Sequence, residues 1–214
     1  MIRVMVVDDH TLIRVALKRI LEEQGDIQVV AEASTGEQAV DMARRQPMDL
    51  VVMDVDMPGM GGVEATRKIN GMAGGPKVIV ISVHSQDPYP KRLLEAGAKG
   101  YLSKASGSNE VISAVRTVYG GQAYVAPEVA GQLAMASINR TESPLDTLTQ
   151  REMQVMLMLT KGQNAQSISR TLNLSPKTVC TYRYRLYEKL DVKNDVELTH
   201  LAIRHGLIEG GKPN

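Results

Sequence analysis

Only one cysteine, Cys180, occurs in the 214 residues. A single cysteine can form neither an internal disulfide nor a cysteine-based zinc site, which agrees with a reducing compartment. Long apolar runs are also missing, because the stretch that starts at Met1 contains Arg3 and ends at Asp8 and Asp9. It is too short and too charged to be a signal peptide or a membrane span. We therefore expect a cytoplasmic protein that does not associate with a membrane.

The sequence also lacks low-complexity tracts and internal repeats. Hydrophobic residues make up 43% and charged residues 23%, and these values exclude a disordered chain. The length suffices for two modest domains. Charge is uneven along the chain, with −1 over residues 1–120, −2 over 121–147 and +4 over 148–214. The basic C-terminal part points only weakly to nucleic acid, since many solvated helical faces are equally basic.

The first 120 residues alternate short β-branched runs with helical stretches. Strands are predicted at Val4–Val7, Ile27–Ala31, Leu50–Met53, Val78–Ile81 and Gly100–Leu102. Three of the helices are predicted at Leu12–Glu23, Glu37–Arg45 and Val63–Ile69. Ser34 and Glu37 offer a capping box for the second of them. Apolar strands separated by helices predict an α/β fold, in which a doubly wound, five-stranded parallel sheet is covered on both faces.

The remaining residues show no strand pattern after the first domain. An amphipathic helix is predicted at Pro127–Ile138, followed by a linker at Asn139–Pro144. Four further helices, an all-α arrangement, are predicted at Thr149–Thr160, Asn164–Leu172, Ser175–Leu190 and Asn194–His205. Thr149 with Glu152 and Asn194 with Glu197 mark helix starts, and Gly162 marks an end. The predicted boundaries are therefore 1–121 for the first domain, 122–147 for a helix plus linker, 148–208 for the second domain and 209–214 for a tail.

Side chains that carry chemistry follow the predicted strands at their carboxyl ends. Asp8 and Asp9 follow the first strand, and Asp54 and Asp56 follow the third. Ser82 ends the fourth strand, and Lys104 follows the fifth. In open α/β sheets, ligands bind outside this edge, near the point where the strand order reverses. We therefore expect these six residues to converge on one site.

Crowded carboxylates repel one another unless a cation lies among them. Mg²⁺ and the Lys104 ammonium would supply positive charge, and an aspartate can then act as the nucleophile toward a phosphoryl group. Each residue alone has a simpler explanation, since strand-end aspartates often cap turns and lysines are usually solvated. Together they are hard to explain as caps. The four histidines are scattered along the chain, and we expect none of them to have a metal partner. They are His10, His84, His200 and His205.

The third helix of the C-terminal part follows a tight connection at Asn173 and Leu174. Ser175 and Pro176 predict a sharp helix start, and Val179, Leu186 and Leu190 form its inward stripe. Basic and polar side chains on the other faces suit insertion into the major groove of DNA, although an ordinary bundle helix has the same spacing. The residues predicted to face DNA are Lys177, Thr178, Cys180, Thr181, Tyr182, Arg183, Tyr184, Arg185 and Lys189.

Four runs in the first 121 residues resemble the receiver domain of response regulators, a flavodoxin-like fold. They read VMVVDDH, VVMDVDMPGMGG, VIVISVH and AGAKGYLSKA. The resemblance implies that Asp54 accepts a phosphoryl group from a sensor histidine kinase. It assigns Mg²⁺ binding to Asp9, to Asp54, to the main-chain carbonyl of Asp56 and, through water, to Asp8. Ser82 and Tyr101 match the switch positions, although Tyr101 could equally be a core aromatic.

The C-terminal part is similar to the LuxR-type helix-turn-helix domain of NarL/FixJ regulators. The resemblance is carried by LTQREMQVMLMLTKGQ, ISRTLNLSPKTVCTYRYRLYEKLDV and ELTHLAIRHGL. The run TESPLDTLTQRE resembles the GacA/UvrY group in particular. Cys180 departs from the polar amide usual at its position in that group, so it either contacts a base or is a small half-buried side chain.

The two resemblances imply a two-component response regulator that binds double-stranded DNA, controls transcription and is not an enzyme. A homodimer is expected when it is phosphorylated or bound to DNA. One alternative is a phosphatase that forms an aspartyl phosphate, because Asp54 and Asp56 make a DxD motif. Pro58, where that class needs threonine or serine, and Lys104 at the last strand disfavour it. Another alternative is a phosphorylation-controlled adaptor that binds protein. Asp56 could either strengthen cation binding or repel the phosphodonor.

Overall fold

Six parallel strands form one sheet in the N-terminal part of the chain, in the order β2-β1-β3-β4-β5-β6. The strands are β1 (Ile2–Val7), β2 (Ile27–Ala33), β3 (Leu50–Asp54), β4 (Lys77–Ser82), β5 (Gly100–Ser103) and β6 (Tyr124–Val125). The five predicted strands are confirmed, each longer by one or two residues. The count of five was wrong, because β6 has two residues and is too short to show an alternating pattern. It pairs with β5 at the edge of the sheet.

This is a computed structural model, and it describes residues 1–82, 89–131, 133, 144–172, 174–205, 207 and 208. The chain divides into two compact units, with the first ending at residue 133. Strand β6 belongs to the first unit, and the predicted domain limits at residues 121 and 148 stay predictions. No helix among the described residues is long and apolar enough to cross a lipid bilayer.

Helices cover the sheet of the first unit. They are α1 (Thr11–Glu22), α2 (Gly36–Arg45), α3 (Gly62–Asn70), α4 (Tyr89–Glu95) and α5 (Ser108–Tyr119). A sixth helix, α6, starts at residue 127 and is described as far as residue 131 and again at 133. The rest of the predicted helix Pro127–Ile138, most of the linker Asn139–Pro144, and His84 lie outside the described residues.

The start of α2 differs from the prediction by one residue. Thr35, rather than Ser34, is the N-cap, and its hydroxyl accepts a hydrogen bond from the Gln38 N–H at 3.2 Å. Glu37 therefore does not close a capping box. Its carboxylate instead accepts a hydrogen bond from the Met60 N–H at 2.7 Å, in the loop after β3. The sequence pattern could not reveal this contact, because it joins residues 23 positions apart.

The order of the strands explains where the acidic residues meet. β1 lies between β2 and β3. From β1 the chain first adds β2 on one side and then adds β3 on the other side, so the strand order reverses between β1 and β3. The two strands are buried almost throughout, and their carboxyl ends lie side by side, with Val7 paired to Met53. Asp8 follows the first of these residues and Asp54 the second, which brings the two carboxylates to the same edge.

The second unit is helical. It contains a 3₁₀ turn (Pro144–Thr147), α7 (Gln150–Thr160), α8 (Ala165–Leu172), α9 (Pro176–Leu190) and α10 (Asp195–Arg204). These bounds agree with the four predicted helices to within one residue. Asn173 and the predicted tail 209–214 lie outside the described residues.

Side-chain caps explain the sharp limits of these helices. Thr149 and Glu152 form the predicted capping box of α7, and Gly162 follows its end with a positive φ of 77°. The Ser175 hydroxyl accepts a hydrogen bond from the Thr178 N–H at 3.0 Å, and Asn194 caps α10. The predicted inward stripe of α9 is confirmed, since Val179, Leu186 and Leu190 are buried.

Candidate functional site

Two buried aspartates and a lysine meet at the carboxyl edge of the sheet. Asp8 and Asp54 are each 2% exposed. The Lys104 Nζ, from the residue after β5, lies 3.0 Å from Asp8 Oδ2 and 3.0 Å from Asp54 Oδ1. The Lys104 main chain is fixed as well, because its N–H donates to the Ser82 carbonyl at 2.8 Å. One ammonium group is thus shared by two carboxylates that would otherwise repel each other.

The two oxygens of Asp54 have different surroundings. Oδ1 accepts a hydrogen bond from the Val55 N–H at 2.8 Å and faces Lys104. Oδ2 is buried and has no hydrogen-bond partner. The pKa of the Asp54 carboxyl is raised to about 6, chiefly by burial and then by the negative charge of Asp8, while Lys104 acts in the opposite direction. A buried oxygen without a partner is unfavourable, so Oδ2 is suited to bind an electrophile or a cation.

Asp9 and His10 lie beside these groups, and the prediction that no histidine has a plausible metal partner stays a prediction. Donor atoms of Asp8, Asp9, His10 and Asp54 all lie within 4.8 Å of one another. The His10 Nδ1 is 3.1 Å from Asp8 Oδ1 and 2.8 Å from Asp9 Oδ1. The contact between His10 Nδ1 and Asp9 Oδ1 does not have the geometry of a hydrogen bond. Asp9 Oδ1 is therefore a buried oxygen without a hydrogen-bond partner.

Oxygen atoms in this cluster suit a hard divalent cation. Asp9 Oδ1 and Asp54 Oδ2 are both buried and lack hydrogen-bond partners, and carboxylate oxygens are the ligands that Mg²⁺ prefers. The residues therefore fit a magnesium ion. Arg14 holds the loop that carries them, because its Nη1 donates to the Asp8 carbonyl at 2.8 Å. Its sequence position gave no sign of this role, since Arg14 looked like one of several basic residues on α1.

The predicted switch residues are both buried. Ser82 ends β4 and Tyr101 lies in β5, and neither side chain is exposed. Burial raises the pKa of the Tyr101 hydroxyl to about 12, and its hydrogen bond with Ser82 acts in the opposite direction. Asp56 is exposed in the loop after β3, and its negative charge raises the pKa of Asp54 further. Its carboxylate is thus part of the electrostatic environment of the site.

The loop after β3 is held by close packing against the start of α2. Glu37 accepts the Met60 N–H, and a Cβ atom on Gly36 would collide with the Met60 carbonyl oxygen. On the other side of the loop, a Cβ on Gly62 would collide with the Asp54 carbonyl oxygen. Glycine is therefore required at both positions for the backbone to approach so closely.

Replacing Glu37 with alanine is expected to loosen this loop. The lost hydrogen bond is solvent-exposed, so we expect a decrease of about 1 kcal/mol in the free energy of unfolding. Thermal or urea unfolding of the full chain measures it. Glu37→Gln keeps an acceptor oxygen and should restore most of the stability, whereas Glu64→Ala, which removes an exposed carboxylate from α3, should have little effect. Equal losses in Glu37→Ala and Glu64→Ala would contradict the importance of the contact with Met60.

The second unit presents the predicted polar face of α9. Lys177, Thr181, Tyr184 and Arg185 are exposed, and the Tyr184 side chain is 67% exposed. Thr178, Cys180 and Tyr182 are half-buried. Lys177 and Arg185 have no carboxylate partner within the described part of the chain. These two cations are therefore available to an external anion.

Two other predicted cations of α9 have partners inside the unit. The Arg183 guanidinium donates two hydrogen bonds to the Asp195 carboxylate, at 3.0 and 2.6 Å, and one to the Tyr187 hydroxyl at 2.7 Å. The Lys189 Nζ is 2.7 Å from Glu152 Oε2 and donates to the Thr147 carbonyl at 3.2 Å. Both side chains thus fix α9 against neighbouring segments, a role that the sequence pattern did not reveal.

The contact between Lys189 and Glu152 predicts a pH-dependent stability. Burial alone would raise the pKa of Glu152, but hydrogen bonds from Lys189 and Thr149 outweigh it and hold the pKa below its ordinary value. A carboxyl whose pKa is lowered on folding stabilises the protein above its unfolded-state pKa, and this stabilisation is lost as the pH falls through the folded-state value.

We therefore expect Glu152→Gln to lower the free energy of unfolding at neutral pH by about 2 kcal/mol. The difference from the parent chain should shrink below about pH 4.5, because the ordinary pKa of this glutamate is 4.5. Urea unfolding over a pH series measures both effects. Glu188→Gln, at an exposed position of α9 next to Lys189, is the matched control and should change little. A deficit for Glu152→Gln that persists unchanged in acid would contradict the charged contact.

Comparison with known families identifies a domain in each of the two units. Residues 4–116 match the model of the response regulator receiver domain, and residues 146–202 match that of the bacterial regulatory proteins of the luxR family. The chain belongs to the response regulators. It is a two-component response regulator that acts as a DNA-binding transcription factor, and its receiver domain implies a sensor kinase as partner.

The chain is similar over almost its whole length to two kinds of response regulator. The chain is 54% identical to the response regulator UvrY of Escherichia coli (strain K12), over 97% of this chain and 96% of the relative. It is 48% identical to the response regulator GacA of Pseudomonas aeruginosa, over 98% and 99%. A solved structure of RcsB from Salmonella enterica serovar Typhimurium has a TM-score of 0.67 over 94% of this chain and 97% of that one. At 20% identity it shows similarity of fold alone.

Proposed function

We propose that Asp54 is the phosphoacceptor and that its phosphorylation controls DNA binding by α9. The observation that carries this proposal is the buried Asp54 Oδ2, which lacks a hydrogen-bond partner beside an ammonium group 3.0 Å from the other oxygen. In the transfer, one oxygen of the Asp54 carboxylate forms a bond to phosphorus while the bond from phosphorus to the kinase histidine breaks. Lys104 then stabilises the added negative charge, since phosphoryl transfer depends on positioning and charge neutralisation.

Mg²⁺ is the proposed cofactor at this site. Asp9 and Asp54 would hold it directly, the main-chain carbonyl of Asp56 would be a third protein ligand, and Asp8 would act through water. When bound, the ion neutralises charge on the phosphoryl oxygens. The Asp8 carboxylate holds the Lys104 ammonium in position through the ion pair between them. Asp56 adds negative charge beside the site, which favours a cation and disfavours an anionic phosphodonor.

Ser82 and Tyr101 are proposed to couple phosphorylation of Asp54 to a conformational change in the rest of the receiver. The added phosphoryl group offers new acceptor oxygens, for which Lys104 and the Ser82 hydroxyl are the candidate donors. Because Tyr101 is hydrogen-bonded to Ser82 and fully buried, a shift of Ser82 changes the packing of the tyrosine. Packed interiors switch between discrete arrangements rather than deforming continuously.

The DNA-binding residues are proposed to be those of the exposed face of α9, with the half-buried Thr178, Cys180 and Tyr182 near base edges and Lys177 and Arg185 on phosphates. Arg183 and Lys189 were predicted in this set too. Their contacts with Asp195 and Glu152 favour a supporting role, in which they orient α9. The domain limits proposed for the two functions are 1–121 and 148–208.

The protein is proposed to act in the cytoplasm as a regulator and not as an enzyme. The lone Cys180 agrees with a reducing compartment, and Pro58 and Lys104 occupy positions where an aspartyl-phosphate phosphatase needs other residues. The RcsB structure, which shares the fold, is described as bound to promoter DNA in the presence of the phosphomimetic BeF₃⁻. We propose the same coupling here, with two copies of α9 reading adjacent half-sites as a homodimer.

Gel-shift and light-scattering measurements with and without acetyl phosphate test this coupling. Phosphorylation should raise both the affinity for an operator and the mass of the protein in solution. A dimer places two copies of α9 on the DNA, and the second copy adds contacts. Asp54→Asn should show neither response. Identical mass and affinity in the two states would contradict a phosphorylation switch while leaving the DNA-binding role intact.

A further inference from the structure

An apolar cavity of about 140 Å³ lies beside the acidic site, between the sheet and the helices α1 and α5. Most of its wall consists of aliphatic side chains from three strands and the two helices. They are Val7, Val52, Ile81, Ile13, Leu17 and Val111. A cavity of about 150 Å³ with a similar apolar lining stays dry and binds benzene. This cavity therefore has the size and the lining for one six-membered ring.

One end of the cavity is polar. Asp8, Asp54 and Lys104 belong to its lining, and two carboxylates with one ammonium group leave one negative charge in excess. Asp54 is 2% exposed, and its Oδ2 is buried without a hydrogen-bond partner. A carboxylate oxygen can accept a hydrogen bond but cannot donate one. A ligand that suits both ends of the cavity therefore has an apolar body and a cationic N–H donor.

Solvent reaches the cavity between α1 and the loop after β5. The lining residues of the strands are buried, whereas Ile13 and Leu17 of α1 are partly exposed, and so are Ser103, Lys104 and Ser106. Surface loops are more mobile than the strands they connect. A small molecule can therefore enter at this side without separating the strands of the sheet.

We propose that the cavity binds a small primary ammonium ion whose apolar body is the size of one six-membered ring, and that this ligand competes with phosphorylation of Asp54. The ammonium group donates to the Asp54 carboxylate, and the ring packs against α1 and α5. The competition rests on the proposed function of Asp54 as phosphoacceptor, whereas the binding does not. Such a ligand would make the response to the kinase depend on the concentration of an amine.

Benzylamine is the probe for binding, added to the full chain in buffer without divalent metal or phosphodonor. A dissociation constant on the order of 1 mM is expected for a ligand of this size. Methyl-resolved NMR should show Overhauser contacts from the ring of benzylamine to Ile13, Leu17 and Val111. Benzyl alcohol has the same shape without the charge and should bind about tenfold more weakly, because hydrogen bonds to charged groups are stronger. Benzoate should show no contacts.

Filling the cavity provides the matched comparison. Leu17→Phe adds volume to the wall and should abolish the Overhauser contacts. Ile20→Phe is the control, because Ile20 is a half-buried residue of the same helix that packs on the core and is not part of the lining. Leu17→Ala enlarges the cavity and should admit naphthylmethylamine, which the parent chain excludes. This second variant keeps the test valid if Leu17→Phe does not fold, which thermal unfolding checks.

Parent protein without contacts from benzylamine to these methyl groups, or contacts that persist equally in Leu17→Phe and Ile20→Phe, would overturn the binding site. Equal affinities for benzylamine and benzyl alcohol would overturn the choice of a cationic ligand.

Labelling by phosphoramidate in the presence of Mg²⁺ tests the competition, and it should slow as benzylamine fills the cavity. Unchanged labelling at saturating benzylamine would overturn the competition. A parent chain that is not labelled even without benzylamine would overturn the proposed function, and with it the competition, but not the binding site.

Discussion

Asp54→Asn will incorporate no phosphoryl group above background from acetyl phosphate or from a sensor kinase. An amide nitrogen or oxygen at this position cannot form the stable acyl phosphate that a carboxylate forms. The fold should survive the change, because burial already disfavours the charged carboxylate at this position and an amide has nearly the same shape. Radiolabelling or intact-mass spectrometry measures incorporation, and thermal unfolding checks the fold.

Asp56→Asn is the matched control for this experiment. It removes a carboxylate two residues away on an exposed part of the loop and leaves the main-chain carbonyl in place, so phosphorylation should persist. Asp9→Asn should be folded but should no longer respond to Mg²⁺. Undiminished labelling of Asp54→Asn, or loss of labelling in the Asp56→Asn control alone, would contradict the assignment of the phosphoacceptor.

Lys177→Ala combined with Arg185→Ala will weaken operator binding without destabilising the second unit. Both side chains are exposed and lack carboxylate partners in the described ranges. Each phosphate contact releases counterions, so removing two of them should reduce the slope of log affinity against log salt by about 2. At moderate salt, the loss of affinity should be roughly 10-fold to 100-fold.

A control with the same change of net charge replaces two exposed cations of the receiver, Arg67→Ala with Lys99→Ala, and should leave both affinity and salt slope unchanged. Lys189→Met provides a contrast within α9. Because its ammonium contacts Glu152, it should lower the free energy of unfolding and leave the salt slope of the folded protein nearly unchanged. A salt slope that falls equally in all three variants would contradict the division of α9 into free and paired cations.

The parts of the site that could be predicted from sequence are those set by strand order. Asp8, Asp54 and Lys104 follow apolar strands directly, so a parallel sheet brings them together whatever the details of the loops. His10 could not be recognised as part of the cluster, because its ring position depends on the turn that precedes α1. Ser34 and Thr35 are both favourable caps by residue type, with serine slightly preferred, and only the backbone geometry of that turn decides between them.

The partners of the α9 cations were also beyond sequence reasoning. Glu152 lies 37 residues before Lys189, and Asp195 lies 12 residues after Arg183. A helical pattern indicates which face of α9 is polar, but it cannot indicate which polar side chains are occupied by another helix. The burial stripe of α9, in contrast, follows from periodicity alone and was predicted correctly.

The pairing of Arg183 and Lys189 with acidic neighbours has a consequence for how the protein finds its targets. A helix with four free cations would hold any stretch of chromosome tightly, since phosphate contacts carry no sequence information. Two of the four are engaged by Asp195 and Glu152, so we expect shorter residence on unrelated sequences than for four free cations. On this expectation, the acidic residues favour a fast search at the expense of tight binding to non-operator DNA.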